Sequence, residues 1–285
     1  MKWEGRRQSS NVERGRSSGG FGRGRGGMRL SGGALVLAAV VILALGGNPL
    51  VLLGLVSPSQ PTTRVPTQEA SKREEFLSVV LADTEDVWSE IFRAYNAHYN
   101  EPTLTLYQDG VRTGCGVASS SVGPFYCPAD QRVYIDTSFY DELARKFEAP
   151  GDFAFAYVLA HEVGHHIQNE LGTTDKLQKL RETLPEKEYN KYSVCLELQA
   201  DYYAGVFAKY VEAKGYLEPG DLEEAMEAAA AVGDDRIQEK MTGTIRPDHF
   251  THGTAKERAE WFRRGLKYGD LEHGDTFTER GYPLP

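Results

Sequence analysis

The sequence predicts a mostly helical α+β domain with a small β element, preceded by one transmembrane helix. Three observations carry that expectation. Apolar residues recur at helical spacing over 69–99, and the apolar run Phe153–Ala160 with the motif after it and the stretch 195–207 also read as helices, whereas only short stretches such as Thr103–Tyr107 and Arg132–Asp136 read as strands. Between Gly32 and Val56 the chain carries no charge and is rich in Leu, Val and Ala, long enough to cross a bilayer.

The division of the chain follows from composition. Of the 285 residues, 40% are hydrophobic and 26% charged, enough for a sizeable core. Residues 1–30 differ: eight Lys or Arg, two Glu and many Gly and Ser read as a disordered basic tail of formal charge +6, which leaves −15 on the remainder of a chain of net charge −9. The Arg/Gly repeats allow a nucleic-acid-binding tail, but the apolar segment after them turns the reading to membrane topology, with no nucleic acid expected. Residues 31–56 are taken as the membrane span, contacting the lipid bilayer, with the amino terminus cytoplasmic and the domain extracytoplasmic. A signal peptide cleaved near Ala44-Leu45-Gly46 is the alternative; the apolar continuation Leu50–Val56 favours an uncleaved anchor. Residues 57–69, with several Pro, Ser and Thr, form a linker, and the folded domain occupies 70–285.

In the domain, Phe76, Leu77, Val80, Leu81, Val87, Trp88, Ile91, Phe92 and Tyr95 are expected core positions of a first helical region with a possible break at Asp83-Thr84. Thr103–Tyr107 alternates as a strand, and Asp109-Gly110 marks a hairpin turn. Cys115 and Cys127 flank a loop of small residues and read as a disulfide in an oxidising compartment. The rival is a Cys-based zinc site, for which only Cys195 remains as a further thiol. Val133–Asp136 is the candidate edge strand for pairing with extended substrate.

The chemistry centres on His161-Glu162-Val163-Gly164-His165-His166, after the apolar run Phe153–Ala160 and bounded by Asp152 as helix N-cap and Gly172 as stop. On a helix, His161 and His165 share a face and can hold one Zn²⁺, leaving Glu162 towards its open side. A carboxylate there can take a proton from water as it attacks a carbonyl. His166 points about 100° away from His165 and is given a structural role. On the next helix, Glu197 and Asp201 also share a face in an apolar setting. Glu197 completes a His₂Glu ligand set, and Asp201 accepts the free N–H of a ligand His; a solvated acidic face is the plain alternative. A polar excursion over Thr173–Tyr192 separates the two helices, and Ala255–Tyr268 forms a closing amphipathic helix.

Thr113-Gly114-Cys115-Gly116, Gly123–Pro128, His161–His166, Glu197–Asp201 and Phe250-Thr251-His252-Gly253-Thr254, in that order, make residues 70–270 resemble the neutral zinc metallopeptidases of bacteria. The resemblance implies a membrane-anchored, zincin-like domain with a His, His, Glu ligand set. It also implies a role for His252, as a donor to the developing oxyanion, against the alternative that His252 caps the closing helix or bonds a carbonyl. The function expected is zinc-dependent cleavage of peptide bonds in a protein or peptide substrate, with one Zn²⁺ on His161, His165 and Glu197 and with Glu162 as general base. Two further readings stand beside it: a catalytically silent envelope assembly protein with structural zinc, and hydrolysis of a cell-wall amide.

Overall fold

The computed structural model describes residues 1–15 and 68–285. The span expected at 31–56 and all but the last two residues of the linker lie outside the described residues. Among those described, no helix is long and apolar enough to cross a membrane. In chain order come β1 (Val12–Arg14), α1 (Gln68–Ala94), β2 (Thr103–Tyr107), β3 (Gly110–Thr113), β4 (Gly116–Ser119), β5 (Phe125–Cys127), β6 (Arg132–Asp136) and α2 (Phe139–Arg145). They are followed by α3 (Asp152–Glu170), α4 (Thr173–Thr183), α5 (Glu186–Ala213), α6 (Asp221–Ala231), α7 (Asp234–Thr242), α8 (Ala255–Tyr268) and α9 (Thr276–Glu279). The expected α+β class, mostly helical, is what is found.

Four strands form one sheet in the order β1-β2-β6-β5, and β3-β4 is a separate hairpin. β1, β2 and β6 run parallel, with Leu104 opposite both Val12 and Val133, while β5 is antiparallel to β6. A parallel sheet is stable when both faces are covered. Leu104, Leu106, Val133 and Ile135 enter the main core, and Tyr107 and Tyr134 on the other face pack with Val111, Ala118 and Cys127. Because β6 lies between β2 and β5, Val133–Asp136 is not an edge strand; the edge on that side is β5.

Helix α3 is buried around most of its circumference, from Phe153 to Gln168. Its start differs from expectation: Gly151 is the N-cap, and the Phe153 N–H donates to Glu224 Oε2 of α6 at 3.2 Å. Gly172 ends the helix in the left-handed conformation, as its sequence position implied. The expected polar excursion after it is helical, as α4 and the first turns of α5. Helices α5 and α8 cross at Gly205 and Gly265. A Cβ on Gly205 would lie 2.0 Å from Phe262 O, and one on Gly265 would lie 1.9 Å from Tyr202 O, so only glycine permits this approach. A capping box, Thr254 with Glu257, fixes the start of α8.

The expectation of a disordered tail does not hold for residues 1–15, which belong to the same compact unit as the domain. Beyond the β1–β2 pairing, Trp3 meets Phe76 edge to face at 5.7 Å, and the Met1 amine donates to Asp152 Oδ1 at 2.7 Å. Arg7 bonds Ala82 O at 2.6 Å and Glu85 Oε2 at 3.0 Å. Ser9 and Asn11 also donate to Glu85, and Arg6 pairs with Asp83. Glu85 and Asp83 are 3% and 4% exposed. Unpaired charges are costly at such depth, and these partners explain why α1 runs through Asp83-Thr84 without a break. Composition misled because the acids answering these arginines lie some seventy residues away on α1. Of the core positions expected in the first helical region, Tyr95 is the one left exposed, at 43%.

Candidate metal centre

His161 and His165 project from α3, and Glu197 faces them from α5. His161 Nε2 lies 3.2 Å from Glu197 Oε2, and His165 Nε2 lies 3.5 Å from Glu197 Oε1. One donor atom from each residue falls within 4.8 Å of the other two. Gly164 lets the helices approach this closely: a Cβ there would stand 3.0 Å from Ala200 O and 3.1 Å from Ala200 Cα.

Each imidazole is held from behind. His161 Nδ1–H donates to Asp201 Oδ1 at 2.9 Å, and His165 Nδ1–H donates to Gln168 Oε1 at 2.8 Å. Gln168 is anchored in turn by its Nε2–H to Leu196 O at 2.7 Å. With both Nδ1 atoms committed, Nε2 of each imidazole is the atom left to face Glu197. Two imidazoles, once a bound ion displaces their Nε2 protons, and a carboxylate are the donor set of a catalytic zinc site, so these residues fit that ion.

Asp201 is fully buried. It accepts Tyr157 OH at 2.5 Å and Arg258 Nε and Nη2 at 2.8 and 3.0 Å. Burial alone would raise this carboxyl, but the Arg258 and His161 charges outweigh it and hold it below the usual carboxylate range. Burial likewise opposes charge on His161, yet Asp201, with help from Glu197, raises its pKa to about 9. Glu197 is held well below its ordinary value: burial works against ionisation, and the His165 charge with the His161 hydrogen bond overcomes it.

Glu162 and His252 line the same cleft of about 560 Å³ as His161, His165 and Glu197. His252 is held by Asp234, whose Oδ2 accepts the N–H groups of Thr251, His252 and Gly253 at 2.7, 2.6 and 3.0 Å, and whose Oδ1 lies 3.2 Å from His252 Nδ1. The imidazole side chain remains 49% exposed. It does not cap α8, which Thr254 does. His166 has the structural place expected: Nε2–H donates to Asn100 O at 2.6 Å, and Nδ1 accepts from Tyr126 OH at 3.0 Å. Burial lowers its pKa and keeps it neutral. Cys115 and Cys127 form a disulfide, and Cys195 is a buried free thiol.

Sequence reasoning missed Arg258, Tyr157, Gln168 and Asp234. Tyr157 and Gln168 had a signal in their spacing: Tyr157 precedes His161 by one turn, and Gln168 follows His165 by three residues, on matching faces. Arg258 and Asp234 reach the site only through tertiary packing.

Residues 1–277 match the family described as "Putative neutral zinc metallopeptidase". The chain belongs to this family. The match includes residues 1–15, in keeping with their place in the fold. "Uncharacterized protein YpfJ" of Escherichia coli K12 is 46% identical over 283 residues, covering 97% of this chain and 99% of that protein. "Uncharacterized protein Rv2575" of Mycobacterium tuberculosis H37Rv is 46% identical over 191 residues, covering 63% of this chain and 64% of its own. No solved structure matches the chain.

Proposed function

We propose that this family member is a zinc-dependent peptidase in which His161, His165 and Glu197 hold one Zn²⁺ and Glu162 handles the proton. The observation that carries the reading is the convergence of two Nε2 atoms on Glu197 in a cleft that Glu162 also lines. When bound, the ion supplies Lewis acidity to water and to a carbonyl. The Glu162 carboxylate takes a proton from the attacking water and delivers it to the departing amide nitrogen. His252, steadied by Asp234, donates a hydrogen bond where negative charge develops on the carbonyl oxygen. Asp201 and Gln168 hold the ligand imidazoles in their tautomer, and Arg258 with Tyr157 balances the Asp201 charge. The open edge of β5, at the same cleft, suits main-chain pairing with an extended peptide.

The disulfide supports an oxidising, extracytoplasmic compartment for the domain. The packing of residues 1–15 on that domain supports the same compartment for them, rather than the opposite side of a membrane.

The test uses zinc-loaded full chain and a diverse peptide library. Parent protein cleaves peptides and a chelator abolishes this. Glu162→Gln keeps stoichiometric zinc but loses hydrolysis, by about 10²–10⁴-fold or more, whereas His161→Ala and Glu197→Ala lose zinc. Tight zinc binding with no cleavage of any peptide would instead favour a silent scaffold.

A further inference from the structure

Part of the cleft lining is apolar and has no part in the chemistry proposed above. Phe139 and Phe147, at the two ends of the α2 region, stand with ring centroids 6.2 Å apart and line the cleft together with Val122, Val158 and Val232. Val158 sits three residues before His161 on α3, so the apolar wall begins about one turn from a metal ligand. Val122 is 57% exposed. Of the charged lining groups outside the metal centre, Glu142 and Lys146 are opposite in sign and Arg258 is paired with Asp201, so this lining favours neither an acidic nor a basic side chain.

Resting on the peptidase reading, we infer that this wall is a specificity pocket for a bulky apolar side chain, aromatic or Leu-sized, next to the bond to be cleaved. The chemistry is complementary to the edge strand. Main-chain pairing on β5 is indifferent to sequence, so selectivity must come from side-chain pockets. A cleft of about 560 Å³ is of the size that encloses a small ligand, with apolar walls and a few polar groups to orient it. Burial of one large apolar side chain discriminates against a small one by roughly 10–100-fold.

The experiment compares paired peptides that differ only in Phe, Leu, Ala, Asp or Lys beside the scissile bond, using the zinc-loaded full chain. Parent enzyme should favour Phe or Leu over Ala by roughly 10–100-fold in kcat/KM, with Asp and Lys no better than Ala. Phe147→Ala should lower the Phe-to-Ala ratio several-fold. That ratio is independent of the folded fraction, and Phe147→Leu should restore part of it. Equal rates across the set, or an unchanged ratio in Phe147→Ala, would overturn the pocket while leaving the peptidase intact. Equilibrium binding of the same peptides to zinc-loaded Glu162→Gln separates the two ideas from the other side. If the parent hydrolyses nothing while Glu162→Gln binds the Phe peptide in preference to Ala, the peptidase reading fails and the pocket stands; no preference in binding removes the pocket as well.

Discussion

The metal centre and the amino-terminal segment are built with the same device. In each, a carboxylate buried on a helix is answered by an arginine and by hydroxyl or amide donors. Asp201 on α5 receives Arg258, Tyr157 and His161; Glu85 on α1 receives Arg7, Ser9 and Asn11. Yet one region was visible in the sequence and the other read as a tail. The difference lies in what each buried acid serves. Asp201 shares a helix face with Glu197, the proposed metal ligand, and metal-ligand motifs have fixed spacings. Glu85 anchors the amino-terminal segment, and packing partners obey no spacing rule across distant segments.

If the amino-terminal contacts are part of the fold, removing residues 1–11 should cause the largest loss of stability. It strips Asp83 and Glu85 of their cationic partners, and breaking a buried pair costs about 3–5 kcal/mol. For a domain of this size that corresponds to a fall in Tm of roughly 6–20 °C, or to failure to accumulate as folded protein. Calorimetry of the zinc-loaded protein reads it. A truncated protein melting within about 2 °C of the parent, less than one kcal/mol's worth, would make the segment an appendage and end the comparison.

Arg258→Met probes the same device at the metal centre, where two effects should appear together. Asp201 is left buried without its cation, at about 3–5 kcal/mol, and its hold on His161 loosens, so zinc affinity falls about 10–100-fold. Arg258→Met with Asp201→Leu should recover stability, because no charge is stranded, but not zinc affinity. That split between melting temperature and zinc titration distinguishes a positioning role from plain core support. A double variant that regained both would show that Asp201 does nothing for the metal.

The legible part of the molecule is local. Helix α8 runs from Ala255 to Tyr268 as its amphipathic spacing indicates, and helix α3 with His161 and His165 on one face, its stop at Gly172 and the Glu197–Asp201 face all follow from spacing. What escaped is non-local. The sheet order makes β5 the edge rather than β6, and nothing in the alternation of Val133–Asp136 reveals which neighbours it will have. Arg258 is buried because α8 packs on α5 through glycine, and its amphipathic helix gives no sign that this cation points inward. The three-residue β1 is short, half-polar and set among basic residues. Only its pairing with Thr103–Tyr107 makes it a strand.

The His252 loop sharpens the comparison from a third direction, because its carboxylate, Asp234, is met by backbone N–H groups instead of an arginine. Replacing His252 by Ala should lower kcat by about 10²–10³-fold if it stabilises the oxyanion. Zinc content and Tm should stay near parental values, since the ring is half-exposed and Asp234 keeps its three backbone donors. A variant that lost stability while its folded fraction turned over normally would return His252 to a structural role.

The smallest effect expected is on the ionisation of His252 itself. Burial opposes its charge, but the hydrogen bond to Asp234 and the nearby Glu197 charge prevail and raise its pKa above the ordinary value of 6.5. A group raised in the folded state contributes stability that is fully present below its unfolded pKa and is lost as pH rises through the folded one. In metal-free protein, therefore, His252 should titrate above 6.5 by NMR, and Asp234→Asn should move it down. The pH dependence of unfolding in the window just above 6.5 should flatten in parallel, because Asn can still accept backbone N–H groups but no longer favours the imidazolium. His252 titrating unchanged in Asp234→Asn would mean that Asp234 shapes only the loop backbone, and that the charge on His252 is governed by Glu197 across the cleft.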